Sequence, residues 1–295
     1  MLKRIFLFGL TNIAVLAVIV TILNIFGVQP YLTQYGINYY ALLTYSVIIG
    51  FSGAFVSLFL SKWMAKMGFH IQLIERPRND MESFLINTIS CLAQHNKIGM
   101  PEVGIYDSPE PNAFATGWNR NNALVAVSTG LLHSMDKEAI EGVLGHELSH
   151  IANGDMVTLT LIQGVVNTFV FFLARVAAFA VTQAMSRDDN RQVSGFTYYM
   201  VSILFQILFG ILASMIVMWF SRYREFRADA GSAQSVGKDK MVKALRALQA
   251  RFDIEHQDNR APAFASMKIS GGSRWGALFS SHPPLEKRIR VLEQQ

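Results

Sequence analysis

The strongest constraint on folding in this 295-residue chain is that charge is absent from two long apolar segments near its N-terminus. The first runs from Ile5 to Gly27 and the second from about Asn38 to Leu60, and neither contains Asp, Glu, Lys or Arg. A helix needs about 20 apolar residues to cross the roughly 30 Å hydrocarbon layer of a bilayer. Both segments therefore predict membrane-spanning helices.

The charges that flank these two segments predict their orientation. Lys3 and Arg4 precede the first segment, Lys62 and Lys66 follow the second, and the link between the segments is uncharged. By the positive-inside rule, both ends of this hairpin are cytoplasmic. The first segment begins like a secretory signal, but it is too long for a signal h-region and lacks a cleavage site, which favours an uncleaved anchor.

Two further apolar segments, Val157–Ala184 and Phe196–Phe220, are also long enough to span a bilayer. Arg175 lies inside the first of them, and an intramembrane arginine is costly and usually faces a partner, a cavity or the interface. A hairpin that lies only partly in lipid is therefore the alternative. With four spans, the chain from Ser221 onward returns to the cytoplasm.

The overall composition excludes several classes of partner. Hydrophobic residues make up 51% of the chain and charged residues 16%, against roughly 25% charged residues in an average soluble domain. The net charge of +5 is small and no dense Lys/Arg run is present, so no nucleic-acid partner is predicted, whereas a basic surplus suits anionic lipid. The single cysteine, Cys91, excludes an internal disulfide.

The segment 67–156 has the composition of a soluble domain. Met81–Ala93 has helical apolar spacing, and Val103–Tyr106 and Ala123–Ser128 are short β-prone runs. A further helix is predicted over Asp136–Ile151, because its apolar residues recur at helical spacing and acidic residues lie in its first turn.

This last helix contains the sequence His146-Glu147-Leu148-Ser149-His150, an H-E-x-x-H motif. Residues i and i+4 share one helical face, so both imidazoles can reach one metal ion. Glu147 lies beside them, where a carboxylate can take a proton from water held at that ion. The alternative is a helix with two surface histidines that pair with nearby acids.

A catalytic zinc ion usually has three protein ligands, so a third ligand is needed. Glu225 and Asp229 follow the fourth apolar segment at i and i+4 spacing, which suits one carboxylate ligand and one carboxylate that holds a histidine N–H. The alternative is a solvated charged turn whose arginines meet lipid phosphates. Topology favours the metal site, because the antiparallel pair of spans brings Asp155 and Ser221 to the same membrane face.

Three motifs together resemble the HtpX family of membrane-bound zinc metallopeptidases, which are relatives of the CAAX prenyl protease. They are the sequence from His146 to Asp155, the pair Glu225-x-x-x-Asp229 and the tail from Ser281 to Arg288, and the resemblance covers essentially the whole chain. It implies one zinc ion per chain, held by His146, His150 and Glu225, with Glu147 as catalytic base. It also implies proteolytic quality control of membrane proteins in a bacterial inner membrane.

Asn112-Ala113-Phe114-Ala115 is similar to the Asn-Ala-Phe edge strand of thermolysin-like peptidases, which share the H-E-x-x-H helix. An extended peptide can pair with the free backbone groups of an edge strand, so Asn112 and Ala113 are candidates for substrate contact. An ordinary turn after Pro111 explains the same residues.

The C-terminal segment offers hydrogen-bond donors for the negative charge that develops on a tetrahedral intermediate. His282 or Arg288 is such a candidate, and Arg288 is also a candidate for substrate binding. A structural histidine before a helix that begins near Pro283 is the alternative explanation for His282.

The sequence thus predicts a mainly α membrane protein, with four hydrophobic transmembrane helices and a cytoplasmic zincin-like α+β metallopeptidase domain that contains a small β-sheet. Its parts are an N-terminal hairpin (1–66), a catalytic part (67–156), a second hydrophobic hairpin (157–220) and a C-terminal catalytic part (221–295). The predicted function is zinc-dependent endopeptidase action on misfolded or damaged membrane proteins, with the active site and both termini cytoplasmic.

The predicted partners are unfolded or membrane-protein substrates, the lipid bilayer and other quality-control proteases of the membrane. Charged residues around the start of the H-E-x-x-H helix argue against a motif buried in the bilayer, and the spans contain too few ionisable groups for a transporter. A zinc-stabilised membrane scaffold or chaperone without turnover is the remaining alternative, because it would need the metal ligands but not Glu147.

Overall fold

The structure is a computed structural model, and it describes residues 17–19, 21, 22, 25, 32, 33, 36–189, 195–257 and 281–294. The described helices are α1 Tyr39–Phe69, α2 Asp80–His95, α3 Thr129–Ser134, α4 Lys137–Asn153, α5 Asp155–Asp189, α6 Gly195–Val236, α7 Lys238–Gln257 and α8 Leu285–Glu293. The described strands are β1 Leu32–Thr33, β2 Gly36–Ile37, β3 Gln72–Leu73, β4 Glu102–Tyr106, β5 Ala113–Asn119 and β6 Asn122–Ser128.

Three described helices, α1, α5 and α6, are long and apolar enough to cross a membrane. They correspond to the second, third and fourth predicted spans. The first predicted span, Ile5–Gly27, lies almost entirely outside the described residues, so the count of four stays a prediction.

Two of these helices continue well beyond their apolar segments. α1 extends past Leu60 to Phe69, and α6 extends from the fourth span to Val236. Between residues 211 and 230 the sequence has neither glycine nor proline, so nothing interrupts the backbone hydrogen bonds of α6. Glu225 and Asp229 consequently lie on the same helix as the fourth span.

The chain divides into two compact units, of which the first comprises Met1–Ser57 and Leu159–Val217. In this unit α1 and α5 approach closely at Gly50, where an added Cβ would lie 2.6 Å from the backbone nitrogen of Thr168. Arg175 donates to Gln206 Oε1 at 2.6 Å, and its guanidinium lies 3.4 Å from the centre of the Phe171 ring. The intramembrane arginine therefore has both a hydrogen-bond partner and an aromatic partner.

The second unit comprises Leu58–Thr158 and Met218–Gln295 and contains a four-stranded sheet of order β3-β4-β6-β5. β4 and β6 are parallel, whereas β3 and β5 pair antiparallel with their neighbours. β4 and β6 confirm the two predicted β-prone runs. β5 is an edge strand, because β6 is its neighbour on one side only in this sheet.

The core of the second unit lies between the sheet and helices α2 and α4. Buried residues from all three layers form one cluster, among them Leu85, Ile89, Val125, Leu144 and Leu148. α2 and α4 confirm the two helices that apolar spacing predicts in this region. Residues two apart on a helix lie about 200° apart, so burial of Leu144 and Leu148 in this core turns His146 and His150 to the opposite face of α4.

Both ends of α4 are capped. Asp136 Oδ1 accepts a hydrogen bond from the backbone N–H of Ala139 at 3.0 Å, which satisfies one free donor of the first turn. Gly154 ends the helix in the left-handed conformation, with φ of 68°, which a residue without Cβ adopts freely. The chain then starts α5 at Asp155, directly beyond the histidines.

Candidate metal centre

α4 places the two motif histidines side by side, one turn apart. His146 is buried and His150 nearly so. Their Nε2 atoms are 3.1 Å apart, and their rings meet edge to face with centroids 4.7 Å apart. Both imidazoles therefore direct one nitrogen to the same point in space.

α6 brings a carboxylate to that point. Glu225 Oε2 lies 3.5 Å from His146 Nε2, and Glu225 Oε1 lies 3.4 Å from His150 Nε2. Tetrahedral ligands with bonds of about 2.0–2.1 Å are roughly 3.3–3.4 Å apart, so these spacings suit an ion of the size of zinc. His146, His150 and Glu225 form a group that could hold a metal ion, with their ligand atoms within 4.8 Å of one another.

Glu225 provides a second indication that a cation belongs here. Its side chain is buried, and Oε1 accepts no hydrogen bond within the described residues. A buried carboxylate oxygen without a donor is costly, and a metal ion would satisfy it. The donor set thus fits the group that the sequence predicts.

The other nitrogen of each histidine is held by an aspartate. His146 Nδ1 lies 2.9 Å from Asp229 Oδ1, and His150 Nδ1 lies 2.6 Å from Asp155 Oδ2. A carboxylate only accepts hydrogen bonds, so each Nδ1 carries a proton, which leaves Nε2 as the ring nitrogen that can bind a metal ion. The aspartates thus orient both rings with Nε2 towards the candidate metal position.

Each of these aspartates in turn contacts an arginine. Arg288, on α8, donates from Nε to Asp229 Oδ2 at 2.8 Å and from Nη2 to Asp229 Oδ1 at 2.6 Å. Arg227, on α6, donates from Nη2 to Asp155 Oδ1. We name these two sets the His146 triad (His146, Asp229, Arg288) and the His150 triad (His150, Asp155, Arg227).

The carboxylates also change the titration of the histidines. Burial acts to lower the pKa of His150, but hydrogen bonds to Asp155 and Glu225 outweigh it and raise that pKa to about 9. The pKa of His146 is likewise raised, against burial, by Asp229 and Glu225. The metal-free site therefore holds a proton at neutral pH, which a bound cation would displace.

Close packing brings both α6, through Ser232, and α7, through Lys240, against α4. A Cβ added at Gly145 would lie 2.6 Å from Ser232 Oγ, and one added at Gly142 would lie 2.5 Å from the carbonyl oxygen of Lys240. Ser232 Oγ also donates to the carbonyl oxygen of Gly142 at 2.8 Å. Larger residues at Gly142 or Gly145 would push α4 away from its neighbours, so these glycines allow Glu225 to lie close to the histidines.

The remaining predicted residues take different positions. Glu147 is partly exposed at the face of α4 that carries the histidines, and His282 is 53% exposed with Nδ1 2.8 Å from Glu225 Oε2. Arg288, predicted to contact substrate, is buried, donates from Nε and Nη2 to Asp229, and has its Nη1 3.6 Å from Glu225 Oε2, which favours a positioning role. Asn112 precedes β5 and Ala113 opens it, on the edge strand that the motif suggests.

Asp155 and Arg227 of the His150 triad are not among the site residues that the sequence predicts. Asp155 follows His150 by five residues, directly beyond the glycine that ends α4, and Arg227 follows Glu225 by two. The position of Asp155 after that glycine is a usable pattern, because the chain turns back there towards the histidine face. No local pattern selects Arg227 among the neighbouring arginines.

These spanning helices and the His-His-Glu group define the class as a membrane-embedded metalloprotease. The chain belongs to peptidase family M48, whose profile matches residues 81–295. It is 50% identical over 299 residues to the protein described as Protease HtpX homolog from Methylacidiphilum infernorum (100% of this chain, 99% of that protein). It is 52% identical over 295 residues to Protease HtpX from Tolumonas auensis (99% of each chain). These findings confirm the HtpX resemblance.

The fold is also similar to a solved structure, the crystal structure of Ste24p from S. mikatae, with a TM-score of 0.69 and 18% sequence identity. The match covers 99% of this chain and 65% of the Ste24p chain. At this identity the likeness concerns the fold. It agrees with a mainly helical membrane protein that carries a small mixed sheet.

Proposed function

We propose that this protein is a zinc-dependent endopeptidase of the bacterial inner membrane that hydrolyses misfolded or damaged membrane proteins at the cytoplasmic face. The observation that carries the proposal is the convergence of His146, His150 and Glu225 on one point, with Glu147 next to the first ligand. Two imidazoles and one carboxylate are a donor set that catalytic zinc sites use. One such group occurs among the described residues, which supports one ion per chain.

When bound, zinc supplies Lewis acidity, which polarises a carbonyl and lowers the pKa of water to about 7. Glu147 takes a proton from the attacking water and passes it to the leaving amine, which a partly exposed carboxylate on the ligand helix can do. Asp229 and Asp155 hold the ligand histidines in the tautomer that binds metal. His282, in contact with Glu225, remains the candidate donor to the developing oxyanion.

The substrate would bind in extended form along β5. Among the described residues this strand has a neighbour on one side only, Ala113 is its first residue with Asn112 just before it, and it packs against α4. Backbone pairing does not depend on side-chain identity, so it suits an enzyme that acts on many unfolded segments.

The cytoplasmic orientation rests on charge. Lys62 and Lys66 belong to the same compact unit as the metal-site residues, and basic residues concentrate on the cytoplasmic side. Proteolytic activity is supported by the relatives named Protease HtpX, and action on membrane proteins by the position of Glu225 on the same helix as the fourth span.

The proposal is tested with detergent-purified protein that is prepared with a chelator and then given zinc, with a loosely folded protein as substrate. Glu147→Gln is the test variant, and Glu138→Gln, an exposed glutamate at the start of the same helix, is the matched control. We expect zinc to bind all three proteins one to one, and wild type and Glu138→Gln to cleave, whereas Glu147→Gln does not.

Full cleavage by zinc-loaded Glu147→Gln would overturn the assignment of the base. One-to-one zinc binding without cleavage by any of the three proteins, across several unfolded substrates, would instead support the zinc-stabilised scaffold or chaperone. Cleavage that ignores the chelator would overturn the metal dependence.

A further inference from the structure

The C-terminal turns of α1 run alongside the edge strand β5. The ring of Phe59 lies 5.8 Å from that of Trp118 at one end, and the ring of Phe69 lies 5.2 Å from that of Phe114 at the other. Ten helical residues span about 15 Å and four strand residues about 13 Å, so the helix and the strand cover similar lengths between these two ring contacts. Trp118 therefore lies at the end of β5 that is nearer to the apolar part of α1.

Polar contacts place the same end of the sheet against α1. Lys62 Nζ donates to Asn122 Oδ1 at 2.6 Å and pairs with Glu102 at 2.8 Å, and Lys66 also pairs with Glu102. Asn122 starts β6 and Glu102 starts β4. The turn between β5 and β6 thus lies beside Lys62, the first charged residue of α1.

The backbone of β5 is irregular at Trp118, which has no partner residue in the pairing with β6. Gly117 pairs with Ala123 and Asn119 pairs with Asn122, so Trp118 is the extra residue of a β-bulge. Gly117 has φ of 147°, which favours glycine, and an added Cβ would lie 2.3 Å from the carbonyl oxygen of Asn122. Bulges redirect a side chain, and here the indole is 40% exposed.

The depth of this point in the bilayer follows from the sequence of α1. Residues 5–61 contain no charge, and Lys62 is the first charged residue after them. Phe59 lies three residues earlier, about 4.5 Å closer to the hydrocarbon, and is 57% exposed. The interfacial layer on each side is roughly 5–8 Å thick, so Phe59 and the indole beside it lie within that layer.

We propose that the tip of the β5–β6 hairpin, residues 118–122, is inserted in the headgroup layer of the bilayer, with Trp118 as its lipid-contacting side chain. Tryptophan is enriched at this depth because its ring is apolar and its N–H is polar. Exposed Arg120, next to it in the turn, suits anionic headgroups. The surface is continuous with a membrane-spanning helix, and the proposal holds whether or not the chain cleaves peptides.

The test measures quenching of tryptophan fluorescence by brominated lipids in vesicles that contain the full-length protein. Trp63, Trp219 and Trp275 are changed to Phe, which leaves Trp118 as the single tryptophan. The lipids carry bromine either near the glycerol end or near the middle of the acyl chain. We expect Trp118 to lose most of its emission with the shallow bromines, less with the deep ones, and little with iodide in the water.

The matched control has the same background with Trp118→Phe and His133→Trp. His133 is exposed on α3, which follows the opposite end of β6, about 20 Å from the hairpin tip. We expect this tryptophan to be quenched by iodide and not by brominated lipid.

Emission from Trp118 that iodide quenches and brominated lipids leave unchanged would overturn the proposal. If the triple Phe background does not fold, the wild-type protein is compared with the Trp118→Phe single variant. The amount of emission per mole of protein that shallow bromines quench should then fall on substitution, and an unchanged amount would overturn the proposal equally.

Discussion

The two histidine triads contain the same three kinds of side chain but differ in how deeply the arginine is placed. In the His146 triad, Arg288 makes two hydrogen bonds to Asp229 and its side chain is 7% exposed. In the His150 triad, Arg227 contacts Asp155 with one nitrogen and its side chain is 48% exposed.

This difference shows which charged side chains need their partners for the fold to remain stable. A buried ion cannot turn to water when its partner is lost, whereas an exposed one can, so the same substitution has unequal costs in the two triads. The orientation of the histidine, by contrast, depends on the aspartate in both triads. Stability and metal affinity should therefore respond separately.

The largest effect is expected for Arg288→Leu. This change leaves Asp229 as a buried carboxylate without its counterion, and removal of one partner of a buried pair costs about 3–5 kcal/mol. The midpoint of thermal unfolding of the chelator-treated, zinc-free protein in detergent should fall sharply. Arg288→Lys should recover part of the loss, and an unchanged midpoint for Arg288→Leu would contradict the buried pairing.

Next in size is the pair of variants Asp229→Asn and Asp155→Asn. Loss of a carboxylate that orients a ligand histidine lowers metal affinity about 10- to 100-fold, and we expect this for both variants in a zinc competition assay with a chelator. Only Asp229→Asn should also destabilise the chelator-treated protein, because it removes the carboxylate that accepts two hydrogen bonds from buried Arg288. Glu225 Oε2, 3.6 Å from Arg288 Nη1, is then its remaining carboxylate contact. Equal losses of stability would contradict the difference between the triads.

The pH dependence separates the triads further. Burial lowers the pKa of His150, but Asp155 and Glu225 raise it to about 9, above the unfolded value of 6.5. In the chelated protein, the stabilisation from protonated His150 is thus full below pH 6.5 and is lost as pH rises through 9.

Zinc binding should show the opposite trend, with affinity rising about tenfold per pH unit in this window while one proton is released. Asp155→Asn should end that rise at a lower pH, and Asp229→Asn should leave it in place. Calorimetric titration in buffers of different ionisation enthalpy measures the released proton. Affinity that is flat between pH 6.5 and 9 would show that His150 carries no proton in the chelated site.

The smallest effect is expected for Arg227→Ala. Exposed ion pairs contribute about 0–1 kcal/mol, and Asp155 keeps its contact with His150, so unfolding midpoint and zinc affinity should change little. A loss of zinc affinity as large as that of Asp155→Asn would show that Arg227 is needed to hold the aspartate.

Much of the fold follows from patterns that are local in sequence. Long apolar segments predict α1, α5 and α6, and helical spacing predicts α2 and α4, because burial of a continuous stretch or of one helix face depends on neighbours in the chain. The apolar segments do not indicate where α1 and α6 end, at Phe69 and Val236. Charged residues such as Lys62 end an apolar run without ending a helix.

The candidate site divides in the same way. The i, i+4 spacing of His146 and His150 is a property of one helix, so it is visible in the sequence. The sequence predicts that Arg288 contacts substrate. Its burial comes from the packing of α8, which no local sequence pattern indicates. The bulge at Trp118 likewise depends on its register with β6.

By itself, then, the sequence determined the membrane spans, the ligand face of α4 and the carboxylate pair one turn apart on α6. The sequence also predicted, from the antiparallel third and fourth spans, that this pair meets the histidines. The folded structure adds the distances between them, brings Asp155 and Arg227 to His150, and buries Arg288. The reason is that ligand distances and burial arise from contacts between residues about 60 to 140 positions apart, such as Arg288 with Asp229 and His146. Helix periodicity encodes faces, and only packing decides which faces meet.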